Sequence, residues 1–79
     1  MPDGGRKAKD YCEKVIEIAR EIGAKSFLGQ GYLYLGQLYS EEGDKDKAKQ
    51  YVSQAISLFE QCGLENGLRQ AKEALESLK

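Results

Sequence analysis

The sequence predicts an all-α fold in which four antiparallel helices stack side by side. Three observations lead to this prediction. Apolar residues recur at helical spacing through most of the 79 residues, and Gly23, Gly43 and Gly63 interrupt that pattern at equal intervals. The chain also repeats itself at a spacing of 40 residues. A repeat of this length is typical of stacked helical hairpins, each of which needs a neighbour to bury its apolar face.

Identical residues at equivalent positions carry the repeat. The run Lys7-Ala8-Lys9 recurs as Lys47-Ala48-Lys49. The other identical pairs are Tyr11/Tyr51, Ile16/Ile56, Gly23/Gly63, Leu28/Leu68, Gln30/Gln70, Leu35/Leu75 and Leu38/Leu78. The pairs extend along both hairpins, which indicates two copies of one helical unit.

Residues 1–5 are predicted to form a flexible leader, and residues 6–79 a single helical domain. The four helices are predicted at about residues 6–22, 24–42, 44–62 and 64–78. A glycine follows each of the first three helices, where a left-handed residue often ends a helix. Asp44 is a favourable N-cap for the third helix. Because the connections are short, successive helices are expected to fold back on one another.

The second helix is predicted to lie between two others, because its apolar residues, among them Phe27 and Tyr34, cover two sides. Glycine inside a helix costs about 1 kcal/mol relative to alanine, unless another backbone must approach closely. Gly36, together with Ala48 and Ala55 of the third helix, is therefore expected to allow tight packing of the second and third helices. Gly29 has no such predicted partner.

Composition argues against several classes of function. Twelve basic and thirteen acidic residues give a net charge of −1 without a basic stripe, so we expect no nucleic-acid partner. No apolar run is long enough for a membrane span. The chain has no histidine, nucleophile elbow or phosphate loop, so we expect no catalysis, no metal and no cofactor. Cys12 and Cys62 lie on apolar stripes, which predicts buried, unpaired thiols and a cytoplasmic location.

The central part of the chain resembles a tetratricopeptide repeat. That family combines large residues and a Leu-Gly pair in one helix with small residues in the next. The positions that carry this packing motif are Tyr32, Leu35, Gly36, Tyr39, Ala48, Val52 and Ala55. The 40-residue spacing is similar to that of a long-helix subclass. The resemblance implies a fragment of a right-handed α-solenoid that binds proteins or peptides and does no chemistry.

The resemblance also implies where a ligand would bind and where copies of the chain would meet. The inner, concave face would be built from Gln30, Leu33, Gln37, Gln70, Glu73 and Ser77. An ordinary solvated surface is the alternative for this face. In the repeat notation of the family, the chain opens on the second helix of one repeat, so its first helix lacks a partner. An exposed apolar patch for self-association is therefore expected at Tyr11, Val15, Ile18, Ala19 and Ile22.

Three functional hypotheses follow from the sequence. The first is a non-catalytic scaffold that binds a protein or peptide. The second is a structural unit that assembles into a homo-oligomer, with helices exchanged at the turn of residues 41–46 as a variant. The third is a regulatory tail of a larger signalling enzyme, such as a nucleotide cyclase. The five tyrosines are better explained by packing and rim positions than by base stacking.

Overall fold

The computed structural model describes residues 4–78 of the chain, with side chains from Lys7 onward. It has four α-helices: α1 (Gly4–Ile22), α2 (Lys25–Glu41), α3 (Lys45–Cys62) and α4 (Glu65–Ser77). No strand occurs between residues 4 and 78. The predicted all-α stack is confirmed. The first helix begins at Gly4, two residues before its predicted start, so the last two residues of the predicted leader are helical. Residues 1–3 of that leader lie outside the described part of the chain.

The same turn joins each helix to the next. Gly23, Gly43 and Gly63 have φ values of 73°, 87° and 70°. At the first turn, the N–H of Ala24 donates to the carbonyl oxygen of Ala19 at 2.9 Å, which is the long bond of a Schellman motif. The equivalent bonds at the other turns run from Asp44 to Tyr39 and from Leu64 to Phe59. The predicted role of the glycines is confirmed, because the left-handed backbone at these positions reverses the chain.

The helices pack in chain order, and α2 is central. It contacts α1 on one side and α3 on the other, while α4 packs on α3 and also reaches α2. The predicted position of α2 between two helices is confirmed. Asp44 caps α3, since its Oδ1 accepts a hydrogen bond from the backbone N–H of Lys47 at 3.2 Å. The stack measures 36 × 30 × 17 Å, so it is a thin slab with two broad faces.

Phe59 holds the centre of the core, and its side chain is 0% exposed. Two glycines leave space for its ring. A Cβ atom built on Gly29 of α2 would lie 2.8 Å from the ring, and one built on Gly67 of α4 would lie 2.9 Å from it. The glycine at position 29 is thus explained by the ring of α3 that it faces. The ring joins three helices, because it lies against α2 and α4 from its own position on α3.

The predicted packing motif forms the α2–α3 contact. Leu35, Ala48, Val52 and Ala55 are buried in one cluster. A Cβ atom on Gly36 would lie 2.7 Å from Val52 Cγ2 and 3.2 Å from the carbonyl oxygen of Ala48. The two helices therefore approach closely at Gly36, as the sequence predicted. Tyr32 is also buried, and Tyr39 is half-buried and packs against the cluster.

Candidate functional site

Two grooves flank α2, and they differ in chemistry. The first, which we call the open groove, lies between α1 and α2 and has a volume of ≈ 610 Å³. Its lining is mainly apolar and comprises Ala8, Tyr11, Cys12, Val15, Phe27, Gln30, Gly31, Tyr34, Gln37, Leu38 and Glu41. Glu41 is the only carboxylate in this lining, and no lysine or arginine contributes to it. The open groove therefore suits an apolar occupant.

The second, which we call the polar groove, lies between α2 and α4 and has a volume of ≈ 530 Å³. Its lining comprises Gly36, Gln37, Ser40, Glu41, Val52, Gln70, Glu73, Ala74, Ser77 and Leu78. Gln37, Gln70, Glu73 and Ser77 were predicted on the concave face, and the fold brings these four together here. The groove offers amides, hydroxyls and two carboxylates, with no cationic side chain in its lining. It suits hydrogen-bond donors and positive charge.

Two of the predicted concave-face residues lie elsewhere. Leu33 is only 5% exposed and belongs to the buried cluster that includes Phe59 and Ala71. Its predicted contact with a ligand is corrected, because Leu33 lies between Gly29 and Gly36 on the side of α2 that packs against α3. Gln30 is exposed but lines the open groove, on the side of α2 that faces α1. Gln37 contributes to both grooves.

The predicted self-association face is largely open to solvent. The exposed fractions are 71% for Tyr11, 56% for Ile18 and 71% for Ile22. Val15 is half-buried and lines the open groove. Ala19 is only 2% exposed, so its place in this face is corrected. The turn at Gly23 folds the start of α2 back beside Ala19, whose carbonyl accepts the hydrogen bond from Ala24.

Two aromatic residues extend this apolar face onto α2. Phe27 is 60% exposed and Tyr34 is 59% exposed, and both line the open groove. Sequence reasoning had placed them among the packed residues of a two-sided helix. Their spacing of seven residues puts them on one helical face, which is the signal that could have separated them from the buried residues. Together with Tyr11, they surround the groove with large exposed rings.

A stack of tyrosines occupies a different part of the slab. The ring of Tyr51 stacks on Tyr32, with centroids 5.9 Å apart, and on Tyr39, with centroids 5.5 Å apart. Arg20 Nη2 donates to the Tyr32 hydroxyl at 2.7 Å. The ammonium group of Lys9 lies 5.0 Å from the centroid of the Tyr39 ring. The ring faces of these tyrosines are therefore used for packing, as the sequence predicts. Tyr51 stacks on two other rings, so its ring is not available to stack on a nucleic-acid base.

Lys9 also ties the first helix to the end of the second. Its Nζ forms an ion pair with the Glu42 carboxylate at 2.8 Å. The hydrogen bond to Glu42 raises the pKa of Lys9 above its usual value, with a further contribution from the negative charge. Surface pairs of this kind contribute little to stability, so the pair mainly fixes the relative position of the two helix ends.

The two cysteines differ in environment. Cys12 is 8% exposed and lines the open groove, whereas Cys62 at the end of α3 is exposed. The prediction of two buried thiols is wrong for Cys62. It lies in the last turn, beside Gly63, where no neighbouring helix covers it. Burial raises the pKa of the Cys12 thiol above its usual value, with a smaller contribution from the charge of Glu13.

This difference predicts unequal reactivity with iodoacetamide. Cys62 is expected to react at least about tenfold faster than Cys12 at pH 8, because the thiolate is the nucleophile and Cys12 is both covered and held as a thiol. The raised pKa means that the Cys12 rate continues to rise at a pH where an ordinary thiol is already ionised. Mass spectrometry of peptides containing each cysteine gives both rates. Equal rates at pH 8 would contradict the placement of Cys12.

No set of three or more histidine, cysteine, aspartate or glutamate side chains is arranged to hold a metal ion within the described residues. Among the same residues, no helix has the length and apolar character that a bilayer span requires.

Helices that fold back at equal intervals and stack on one another in chain order define a helical repeat protein. Comparison with known families identifies the repeat. The family model described as tetratricopeptide repeat matches residues 29–62, which cover most of α2 and all of α3. These residues form a tetratricopeptide repeat, and α1 and α4 extend its packing on either side.

The matched segment contains the whole predicted packing motif, from Tyr32 to Ala55. Tetratricopeptide repeats are in general non-catalytic modules for protein–protein interaction. No significant match to a curated protein or to a solved structure was found.

Proposed function

We propose that this chain is a non-catalytic interaction module that binds a protein or peptide through the open groove between α1 and α2. The observation that carries the proposal is the cluster of Tyr11, Phe27 and Tyr34 around one apolar groove, each more than half exposed. Exposed apolar patches of this kind usually mark interaction sites. Aromatic residues also supply most of the anchoring contacts in protein interfaces.

The polar groove is the second candidate surface. Gln37, Gln70, Glu73 and Ser77 converge there from two helices, as expected for a concave face. Its lining supports contacts to the backbone or to cationic side chains of an extended peptide. Polar contacts that stay open to water contribute less than buried aromatic anchors, and for this reason we give the open groove the main role.

Self-assembly is a further reading of the same apolar face. Tyr11, Ile18 and Ile22 would be covered if two copies met along α1. Exchange of helices at residues 41–46 is less favourable, because Gly43 is left-handed and Asp44 caps α3. Straightening this turn would break the Schellman bond and the cap. The regulatory-tail hypothesis stays a suggestion of the family resemblance, and the two unpaired cysteines support a reducing, cytoplasmic setting.

A peptide-display selection tests which groove binds. Helical and extended peptides selected against the chain would be measured by fluorescence anisotropy against three proteins: the parent, Tyr34→Asp in the open groove and Gln70→Lys in the polar groove. Tyr34→Asp is expected to weaken binding at least about tenfold, because it removes an aromatic anchor and introduces a charge into an apolar site. Gln70→Lys is expected to change binding less than about twofold.

Both substituted side chains are exposed, so the fold should be retained in each variant. If Gln70→Lys alone weakens peptide binding, the polar groove is the binding site instead. A mass in light scattering that rises with concentration and falls for Ile18→Asp would favour self-assembly instead.

A further inference from the structure

The open groove has an occupied counterpart within the same chain. The α1 residues that line the open groove are Ala8, Cys12 and Val15, and the sequence repeat gives each an equivalent residue 40 positions later, on α3. Their counterparts are Ala48, Val52 and Ala55. All three counterparts are buried, and the α3 face that they form packs against α2 at Gly36.

The wall that α2 contributes to the open groove also has equivalent residues 40 positions later in the chain. Phe27, Gly31, Tyr34 and Leu38 line the open groove from α2. Their equivalents are Gly67, Ala71, Ala74 and Leu78 of α4. Of these, Gly67 faces the ring of Phe59, and Ala71 and Leu78 are buried in the core. The counterpart site, formed by α3 and α4, is filled by α2 except where Ala74 and Leu78 line the polar groove.

The two sites differ in the position of one aromatic ring. In the filled site, Phe59 projects from α3 and faces Gly67 of α4. The equivalent residues are Ala19 on α1, which is buried outside the groove lining, and Phe27 on α2, which lines the open groove. The phenyl ring is therefore on the second helix of the pair in the open groove, where it is 60% exposed.

From this equivalence we infer that the open groove receives an α-helix of a partner protein, seated as α2 is seated on α3 and α4. The inference rests on the proposed function and names the partner's chemistry. The residues of α2 that face this site include Gly29, Leu33 and Gly36, which follow the spacing i, i+4, i+7. Beside them, Tyr32 and Tyr39 stack on Tyr51 of α3. The partner helix is therefore amphipathic, with a leucine between two small residues on its buried face.

A second copy of this chain does not present that face. The positions of α4 equivalent to Gly29, Leu33 and Gly36 are Arg69, Glu73 and Glu76. Long charged side chains there would prevent the close approach and would lose water on burial. The small residues of α2 are already covered within each copy by α3. Between these two occupants, the groove favours a helix from a different protein over a second copy of this chain.

A designed peptide tests the inference directly. The probe spans residues 24–42, keeps Gly29, Leu33 and Gly36, and has alanine, glutamate and lysine at the remaining positions for helicity and solubility. We expect saturable binding to the parent chain by fluorescence anisotropy. Replacing Gly36 by leucine in the peptide is expected to weaken binding at least about tenfold, since the equivalent close contact is with Cys12 and Ala8.

The two cysteines locate the bound peptide. Cys12 lines the groove, and Cys62 lies far along α3 and is exposed. Saturating peptide is expected to slow alkylation of Cys12 at least about fivefold and to leave the Cys62 rate unchanged. On the protein side, Tyr34→Asp is expected to abolish the protection. Leu64→Ser, at an exposed apolar residue outside the groove, is the matched control and should retain it.

Equal affinity for the probe and its leucine variant, or binding without protection of Cys12, would overturn the inference. Protection of Cys12 by raised protein concentration alone would overturn it in favour of a second copy. If this probe fails while display-selected peptides still lose affinity for Tyr34→Asp, the proposed function stands and only the helical partner is rejected. If the probe does not bind and display-selected peptides keep their affinity for Tyr34→Asp, both the helical partner and the proposed function are rejected.

Discussion

Replacing Phe59 by alanine is expected to lower the free energy of unfolding by about 3–5 kcal/mol. The side chain is fully buried and lies between Gly29 of α2 and Gly67 of α4. Neither glycine has a side chain that could move into the space, so the cavity would remain largely open. A single domain of this size has a total stability of roughly 5–15 kcal/mol, so the loss removes a large share of it. Urea unfolding followed by circular dichroism measures the change.

Ile18→Ala is the control for Phe59→Ala. Ile18 also loses a large apolar side chain, but more than half of it is exposed on α1. We expect a change within about 0.5–1 kcal/mol for this variant. Similar losses for the two variants would mean that Phe59 does not hold the three helices together.

Replacing Gly36 by leucine is expected to lower the free energy of unfolding by about 3 kcal/mol, at the upper end of the range for overpacked cores. A leucine favours the helix by about 1 kcal/mol relative to glycine, so propensity alone would predict the opposite sign. The close approach of α3 decides the result. A Cβ atom at this position meets Val52 Cγ2 at 2.7 Å, and it also meets the backbone of Ala48 at 3.2 Å. A backbone atom cannot turn away as the end of a side chain can.

Gln37→Leu provides the comparison for Gly36→Leu, because it adds the same side chain to the same helix at an exposed position. Its stability is expected to stay within about 0.5 kcal/mol of the parent. A Gly36→Leu variant that is as stable as the parent, by thermal and urea unfolding, would show that α2 and α3 are further apart than described.

The helices and turns were largely predictable from the sequence because their signals are local. Gly43 and Asp44 specify one turn through a left-handed residue and a capping side chain, and each acts within a few residues. The close contact at Gly36 was also predictable, since its small partners lie in the next helix. Gly29 was not explained, because its partner ring on α3 is also shared with Gly67 of α4. Such three-helix contacts depend on packing that no single helix pattern contains.

The candidate sites were predicted less well, because exposure depends on where the neighbouring helices end. Leu33 was expected at the surface, and it is buried on the side of α2 that packs in the core. Ala19 was expected to be exposed on α1, and the turn at Gly23 brings α2 beside it. Phe27 and Tyr34 were expected to be packed, and they surround the open groove instead. In each case the helical face was known, but the helix that covers it was not.

The open groove itself follows from the repeat once the fold is known. The walls of the groove and the walls of the filled site occupy equivalent positions 40 residues apart. This relation connects the sequence repeat to the proposed function. The repeat that stacks one helix on the next also leaves an apolar groove of ≈ 610 Å³ between α1 and α2.

Nuclear Overhauser contacts between the designed helical peptide and the chain show whether the open groove holds a helix. We expect contacts from the peptide leucine to Val15, Phe27 and Tyr34, which line the open groove from α1 and α2. Contacts to Gln70 and Ser77 of the polar groove, with none to α1, would contradict this expectation.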